Sequence, residues 1–167
     1  MALAYLGLGS NMGNRGANLA AARRALAGLP QTGLIKNAFV YETRPVGGPT
    51  GQGAFLNSAS LVETTLSPYG LLEQIQKVEK DIGRKREAET VRWGPRVIDI
   101  DILLWDDLVV DDYGLTIPHP RLSKRAFALL PLADLDPDLL HPTLDLTVRE
   151  LLERIDLANE GIRRLSV

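Results

Sequence analysis

The chain has 167 residues, 45% apolar and 24% charged, which is the balance of one soluble globular domain and excludes a largely disordered chain. Lys plus Arg number 19 against 21 Asp plus Glu, a formal charge of −2, which argues against a dedicated duplex-binding protein. Cysteine is absent and histidine occurs only at His119 and His141, so disulfide frameworks, thiolate metal sites, cysteine nucleophiles and multi-histidine centres are all excluded.

Residues 2–9 alternate large and small apolar side chains and run into the turn-rich Gly9-Ser10-Asn11-Met12-Gly13-Asn14. No basic residue precedes Arg15, so this start reads as a buried first strand and not as a secretory signal. No apolar run approaches the ~20 residues that cross a bilayer, and a cytoplasmic protein is expected. Leu19, Ala22, Leu26 and Leu29 recur at helical spacing, closed by Gly28 and Pro30. Residues 34–43 predict a second strand, and the glycine- and proline-rich residues 44–53 a loop. Residues 55–64 predict a third strand. Ser67-Pro68 then caps a helix with the apolar stripe Leu71, Leu72, Ile75, Val78 and Ile82, stopped at Gly83.

Residues 84–96 hold Arg84, Lys85, Arg86, Arg92 and Arg96 against Glu87 and Glu89, a basic loop in an acidic chain. It leads into the clearest strand, 97–105, where Ile98, Ile100 and Ile102 alternate with Asp99 and Asp101. Short strands are expected at Val109-Val110 and Leu115-Thr116-Ile117. Residues 121–155 carry helical patterning broken by Pro131, Pro137 and Pro142, with Thr147-Val148-Arg149-Glu150 as the capping box of a terminal helix. The order strand, helix, strand, strand, helix, strand is the split βαβ pattern of a ferredoxin-like α+β fold with an antiparallel sheet, helices on one or both faces and a C-terminal extension. No repeat or linker interrupts it, so residues 1–167 read as a single domain.

In a strand, residues two apart share a face about 6.6–7 Å apart, so Asp99 and Asp101 project together. Paired carboxylates repel unless a cation lies between them, and hard oxygen ligands with substrate phosphates suit Mg²⁺. Arginines fork onto phosphate oxygens, and cations with carboxylate-held metal are the recurring equipment of phosphoryl transfer. The residues alone point to a Mg²⁺-dependent enzyme acting on a polyphosphate. Two rivals are weaker. A dinucleotide fold is suggested by Gly7-x-Gly9, but the third glycine, Gly13, falls one residue late. An RNA-binding sheet needs stacking aromatics, and only 5% of residues are aromatic.

Arg92-Trp93-Gly94-Pro95-Arg96 followed by Asp99-x-Asp101 resembles the motif of the 6-hydroxymethyl-7,8-dihydropterin pyrophosphokinase family of folate synthesis. Leu8-Gly9-Ser10-Asn11, Tyr41-Glu42-Thr43, Phe55-Leu56-Asn57, Ile117-Pro118-His119-Pro120-Arg121 and Arg125-x-Phe127 follow in family order. The resemblance implies transfer of pyrophosphate from ATP to the pterin hydroxymethyl group, with release of AMP. It implies two Mg²⁺ ions on Asp99 and Asp101, with Arg84, Arg86 and Arg96 acting catalytically beside them. ATP would meet Gln76, Glu79, Arg84, Trp93, Arg96, Ile102, Thr116, His119 and Arg125. The pterin would lie between Phe55 and Phe127, with Asn57, Thr43, Val46 and Asp99 at its edge. The expected partners are these small molecules, with no nucleic acid or membrane, and the expected state is a monomer.

Overall fold

The alternation at the start of the chain folds as a central strand, because its two faces must be apolar in different ways. The structure, a computed structural model, describes residues 1–44, 51–86 and 94–165. Strand β1 (Ala2–Ser10) is followed by α1 (Arg15–Ala27), capped by the Asn14 side chain on the Ala17 N–H. Then come β2 (Thr32–Asn37), β3 (Tyr41–Thr43) and β4 (Phe55–Thr64). Helix α2 (Pro68–Ile82) begins at the Ser67 cap and ends at Gly83, whose φ of 123° suits glycine. Strand β5 (Asp99–Trp105) closes the core.

A six-stranded antiparallel sheet runs in the order β10 (Arg163–Arg164), β3, β4, β1, β5, with β2 also on β4. Leu6, Leu8, Ile98, Ile100 and Ile102 pack with α1 and α2 on one face. Tyr5, Leu103 and Leu104 pack with α3 (Ala126–Leu135) and α4 (Val148–Glu153) in a second apolar cluster. This is the expected ferredoxin-like α+β core, with helices on both faces.

Three expectations change in detail. The strand foreseen over residues 34–43 is two strands along the same edge of β4. Arg23 donates to the Ala38 carbonyl at 2.8 Å, and the Ser58 hydroxyl donates to the Phe39 carbonyl at 2.8 Å. Those carbonyls are thereby taken out of the ladder. Pro131 does not break its helix: α3 runs through it, with Leu129, Leu132 and Leu135 buried on either side. The lost N–H bond is outweighed by that burial, worth roughly 1.5–3 kcal/mol per large aliphatic side chain.

The third change concerns the C-terminal extension. Past the small hairpin β6 (Val110–Asp112) and β7 (Leu115–Ile117) it holds a second hairpin, β8 (Leu140–His141) with β9 (Leu146–Thr147). The Thr147–Glu150 capping box opens α4 as foreseen, but α4 is not terminal. A 3-10 turn (Leu157–Asn159) and β10 (Arg163–Arg164) follow and return the chain to β3.

Candidate active site

The cleft lies on the α3 side of the sheet, where strand register removes side-chain bulk. Asp99 sits opposite Gly9, and Gly9 opposite Asn57, so a carboxylate, a glycine and an amide form one row across three strands. Asp101, Gly7 and Ala59 form the next row. Small residues between the polar ones leave the floor open. The glycines are required by space: a Cβ on Gly9 would stand 2.9 Å from Asn57 Oδ1, and one on Gly7 3.2 Å from Leu103.

The cleft gathers most of the residues expected from the sequence: Thr43, Phe55, Asn57, Arg84 and Arg96, then Asp99, Asp101, His119, Arg125 and Phe127. Asn57 Nδ2 donates to Thr43 Oγ1 at 2.7 Å, which fixes the amide and leaves Oδ1 to accept. The Arg125 guanidinium lies 5.3 Å from the Phe127 ring centroid, over its face. Arg84 is buried at 6% side-chain exposure and bridges two acids, with Nη1 2.7 Å from Glu79 Oε2 and 2.8 Å from Asp99 Oδ1.

Other expected residues lie elsewhere. Glu79 is 1% exposed beneath the cleft and accepts from Arg84, from Arg86 Nη2 at 2.8 Å and from the Ile100 N–H at 2.9 Å. Gln76 is exposed on α2, Ile102 is in the core and Thr116 is half-buried on β7. Val46 and Trp93 fall outside the described residues.

The sequence reading missed two contributors. Arg44 lines the cleft. Asn11 joins the chain before Gly53 to the chain before β5, donating to the Gly53 carbonyl at 3.2 Å and accepting the Arg96 N–H at 2.7 Å. Nothing in residue spacing announces contacts between segments 85 positions apart.

Charge in the cleft is unbalanced in a useful way. Burial, then the charges of Asp99 and Glu79, push the Asp101 carboxyl up to about 7, against the pull of Arg125 and Arg84. Among the described residues no donor hydrogen-bonds that carboxylate. Asp101 beside Asp99 thus has the donor chemistry of a site for a hard divalent cation, whose remaining ligands are substrate oxygens and water. His119 is pushed down to about 4 by burial and then by Arg125 and Arg121. It is neutral near pH 7. Its Nδ1 accepts the Arg121 N–H at 3.2 Å, which leaves the ring proton on Nε2.

A ferredoxin-like sheet that presents paired carboxylates among converging arginines, in a cleft edged by aromatic rings, is the equipment of a phosphoryl-transfer enzyme. The comparisons agree. The sequence profile of the 7,8-dihydro-6-hydroxymethylpterin-pyrophosphokinase family matches residues 5–137. The chain is 45% identical over 165 residues to the 2-amino-4-hydroxy-6-hydroxymethyldihydropteridine pyrophosphokinase of Methylorubrum extorquens, covering 99% of both. It is 40% identical over 161 residues to that of Pseudomonas aeruginosa, covering 96% of this chain and 95% of the relative. Among solved structures, Plasmodium falciparum HPPK-DHPS with pterin and p-hydroxybenzoate superposes with a TM-score of 0.73 at 18% identity. That match covers 99% of this chain and 47% of the other, so the chain spans about half the length of the structure it matches. The chain belongs to the 7,8-dihydro-6-hydroxymethylpterin-pyrophosphokinase family.

Proposed function

We propose that this cleft performs the family's reaction with its own residues: pyrophosphoryl transfer from ATP to 6-hydroxymethyl-7,8-dihydropterin, in folate synthesis. The hydroxymethyl oxygen loses its proton to solvent and bonds to the β-phosphorus as the bond from that phosphorus to the α,β-bridging oxygen breaks, and AMP leaves with that oxygen. Asp99 and Asp101 would hold two Mg²⁺ ions. When bound, Mg²⁺ neutralises phosphate charge and lowers the pKa of a coordinated hydroxyl.

The chain's other groups orient and neutralise. Phe55 and Phe127 offer two aromatic faces to the flat pterin, and Asn57 Oδ1 accepts from its N–H edge. Arg96 and Arg125 meet phosphate oxygens as cations, and neutral His119 donates through Nε2. Arg84 stays paired to Asp99 and Glu79 and so holds the metal-binding carboxylate in place. Exposed Arg86, hydrogen-bonded to Glu79, stands at the edge of the same network. Gln76 and Thr116 are read as contacts of the nucleotide beyond the cleft, as are the Ile102 backbone and Trp93, with Val46 at the pterin.

The observation that supports this reading is the row Asn57, Gly9, Asp99, an amide and a carboxylate side by side on the cleft floor across a glycine. No helix among the described residues is long and apolar enough to cross a membrane. We also read residues 1–167 as one catalytic domain acting as a cytoplasmic monomer; the six-stranded sheet, which takes strands from both ends of the chain, supports the single domain, and the cysteine-free composition supports a reducing compartment. The deciding experiment incubates the chain with ATP, Mg²⁺ and the reduced hydroxymethylpterin. AMP is the expected product, and ADP in its place would make this an ordinary kinase.

A further inference from the structure

The C-terminal segment returns to the edge of the cleft, and it does so through one arginine. β10 pairs with β3, with Arg163 opposite Glu42 and Arg164 opposite Tyr41, and the Leu165 N–H donates to the Val40 carbonyl at 2.8 Å. Glu42 is bracketed by Arg163 at 3.1 Å and Arg15 at 3.0 Å. The next residue but one, Arg44, lines the cleft, and its Nη2 donates to the Asn159 carbonyl at 2.6 Å. Gly161, at φ 64°, has its missing Cβ position filled by the Arg44 guanidinium. Any side chain there would displace the arginine and strain the backbone. Thr43, its neighbour in the chain, also lines the cleft; it is buried and accepts from Asn57 Nδ2.

We propose that Arg44 is a positioning residue for the pterin, docked on residues 157–161 so that Thr43 and Asn57 stay fixed. Resting on the pyrophosphokinase reading, this gives the C-terminal segment a part in substrate recognition. The segment lies beyond residues 5–137, the stretch that the family profile matches. The pterin end of the cleft depends on it. The nucleotide end, formed by Arg84, Arg96, His119 and Arg125 from other elements, does not.

Steady-state kinetics on the full chain tests this, with each substrate varied in turn at saturation of the other. Arg44→Ala should raise the KM for the pterin about three- to tenfold, the worth of one hydrogen bond, while kcat and the KM for ATP stay within about twofold. Arg44→Lys, which can still donate to the Asn159 carbonyl, should recover most of the loss. Gly161→Val, which leaves Arg44 present but evicts its guanidinium, should repeat the Arg44→Ala result. If Gly161→Val fails to fold, the two Arg44 variants decide alone. An unchanged pterin KM in Arg44→Ala, or equal rises in both KM values, overturns the proposal while AMP formation by the wild type keeps the activity intact. No AMP from the wild type overturns both readings.

Discussion

Glu79 is a buried carboxylate whose removal takes a counter-charge from a buried arginine. It is 1% exposed and its two oxygens take donors from Arg84, Arg86 and the Ile100 backbone, so it is fully committed inside the fold. Glu79→Ala takes from buried Arg84 its 2.7 Å partner and leaves the ion pair with Asp99. Breaking one side of a buried pair costs roughly 3–5 kcal/mol, whereas an apolar replacement of both partners is often close to neutral. Urea unfolding should therefore show Glu79→Ala strongly destabilised and Glu79→Leu/Arg84→Met much less so. A single variant as stable as the wild type would disprove the network's role. His119 offers a second test at the same scale. Its pKa falls from 6.5 to about 4 on folding, so the unfolded chain binds the proton more tightly. The stability tied to neutral His119 is present above pH 6.5 and is lost as the pH falls towards 4. His119→Gln should flatten that decline in unfolding midpoints measured in EDTA, by at most about 3 kcal/mol at roughly 1.4 kcal/mol per pH unit. An identical decline in the variant would contradict the shift. Asp99 and Asp101 were legible because a period of two shows directly in sequence. The burial of Glu79 was not, since spacing along a helix gives the face and not what covers it.

At the scale of elements, the site is a consequence of register. Strands β1, β4 and β5 were foreseen nearly residue for residue, because each is a short run of strand-forming residues bounded by turn or loop chemistry, and in β5 Asp and Ile also alternate. What the sequence could not show is that pairing sets Gly9 between Asn57 and Asp99, since cross-strand neighbours are fixed only by the folded ladder. The split of residues 34–43 into β2 and β3 was hidden for a similar reason: the groups that interrupt it, Arg23 and Ser58, come from a distant helix and strand. Register also makes a prediction. Gly9→Ala places a methyl 2.9 Å from Asn57 Oδ1, and Asn57 cannot swing aside without leaving Thr43. Overpacking of this kind costs about 1–3 kcal/mol. The KM for the pterin should rise by about five- to tenfold while the KM for ATP holds, a split read from initial rates. Equal effects on both substrates would place the damage in the sheet as a whole.

At the scale of the whole molecule, the fold supports one charge that it would be more stable without. Two apolar layers clamp the sheet, and Asp101 stands half-buried on the floor of the cleft, next to Asp99 in its strand and within the field of Glu79. Burial and like charge both disfavour its ionised form, so in the absence of a cation the carboxylate lowers the stability of the protein. Asp101→Asn keeps the shape and removes the charge. That variant should melt a few degrees above the wild type in EDTA, since 1 kcal/mol moves the midpoint of a chain this size by about 2–4 °C. With Mg²⁺ present the order should reverse. A ligand at a hundred times its Kd adds about 2.7 kcal/mol to the state that binds it, so the wild type should gain stability with Mg²⁺ and ATP while Asp101→Asn gains less. Turnover by the variant should fall by about a hundredfold or more, as charge stabilisation at the transferring phosphoryl group is lost. Thermal melts with and without Mg²⁺, set beside AMP release, measure both halves. A variant that melts no higher in EDTA, or that gains as much from Mg²⁺ as the wild type, would show that Asp101 is neither a strained charge nor a metal ligand.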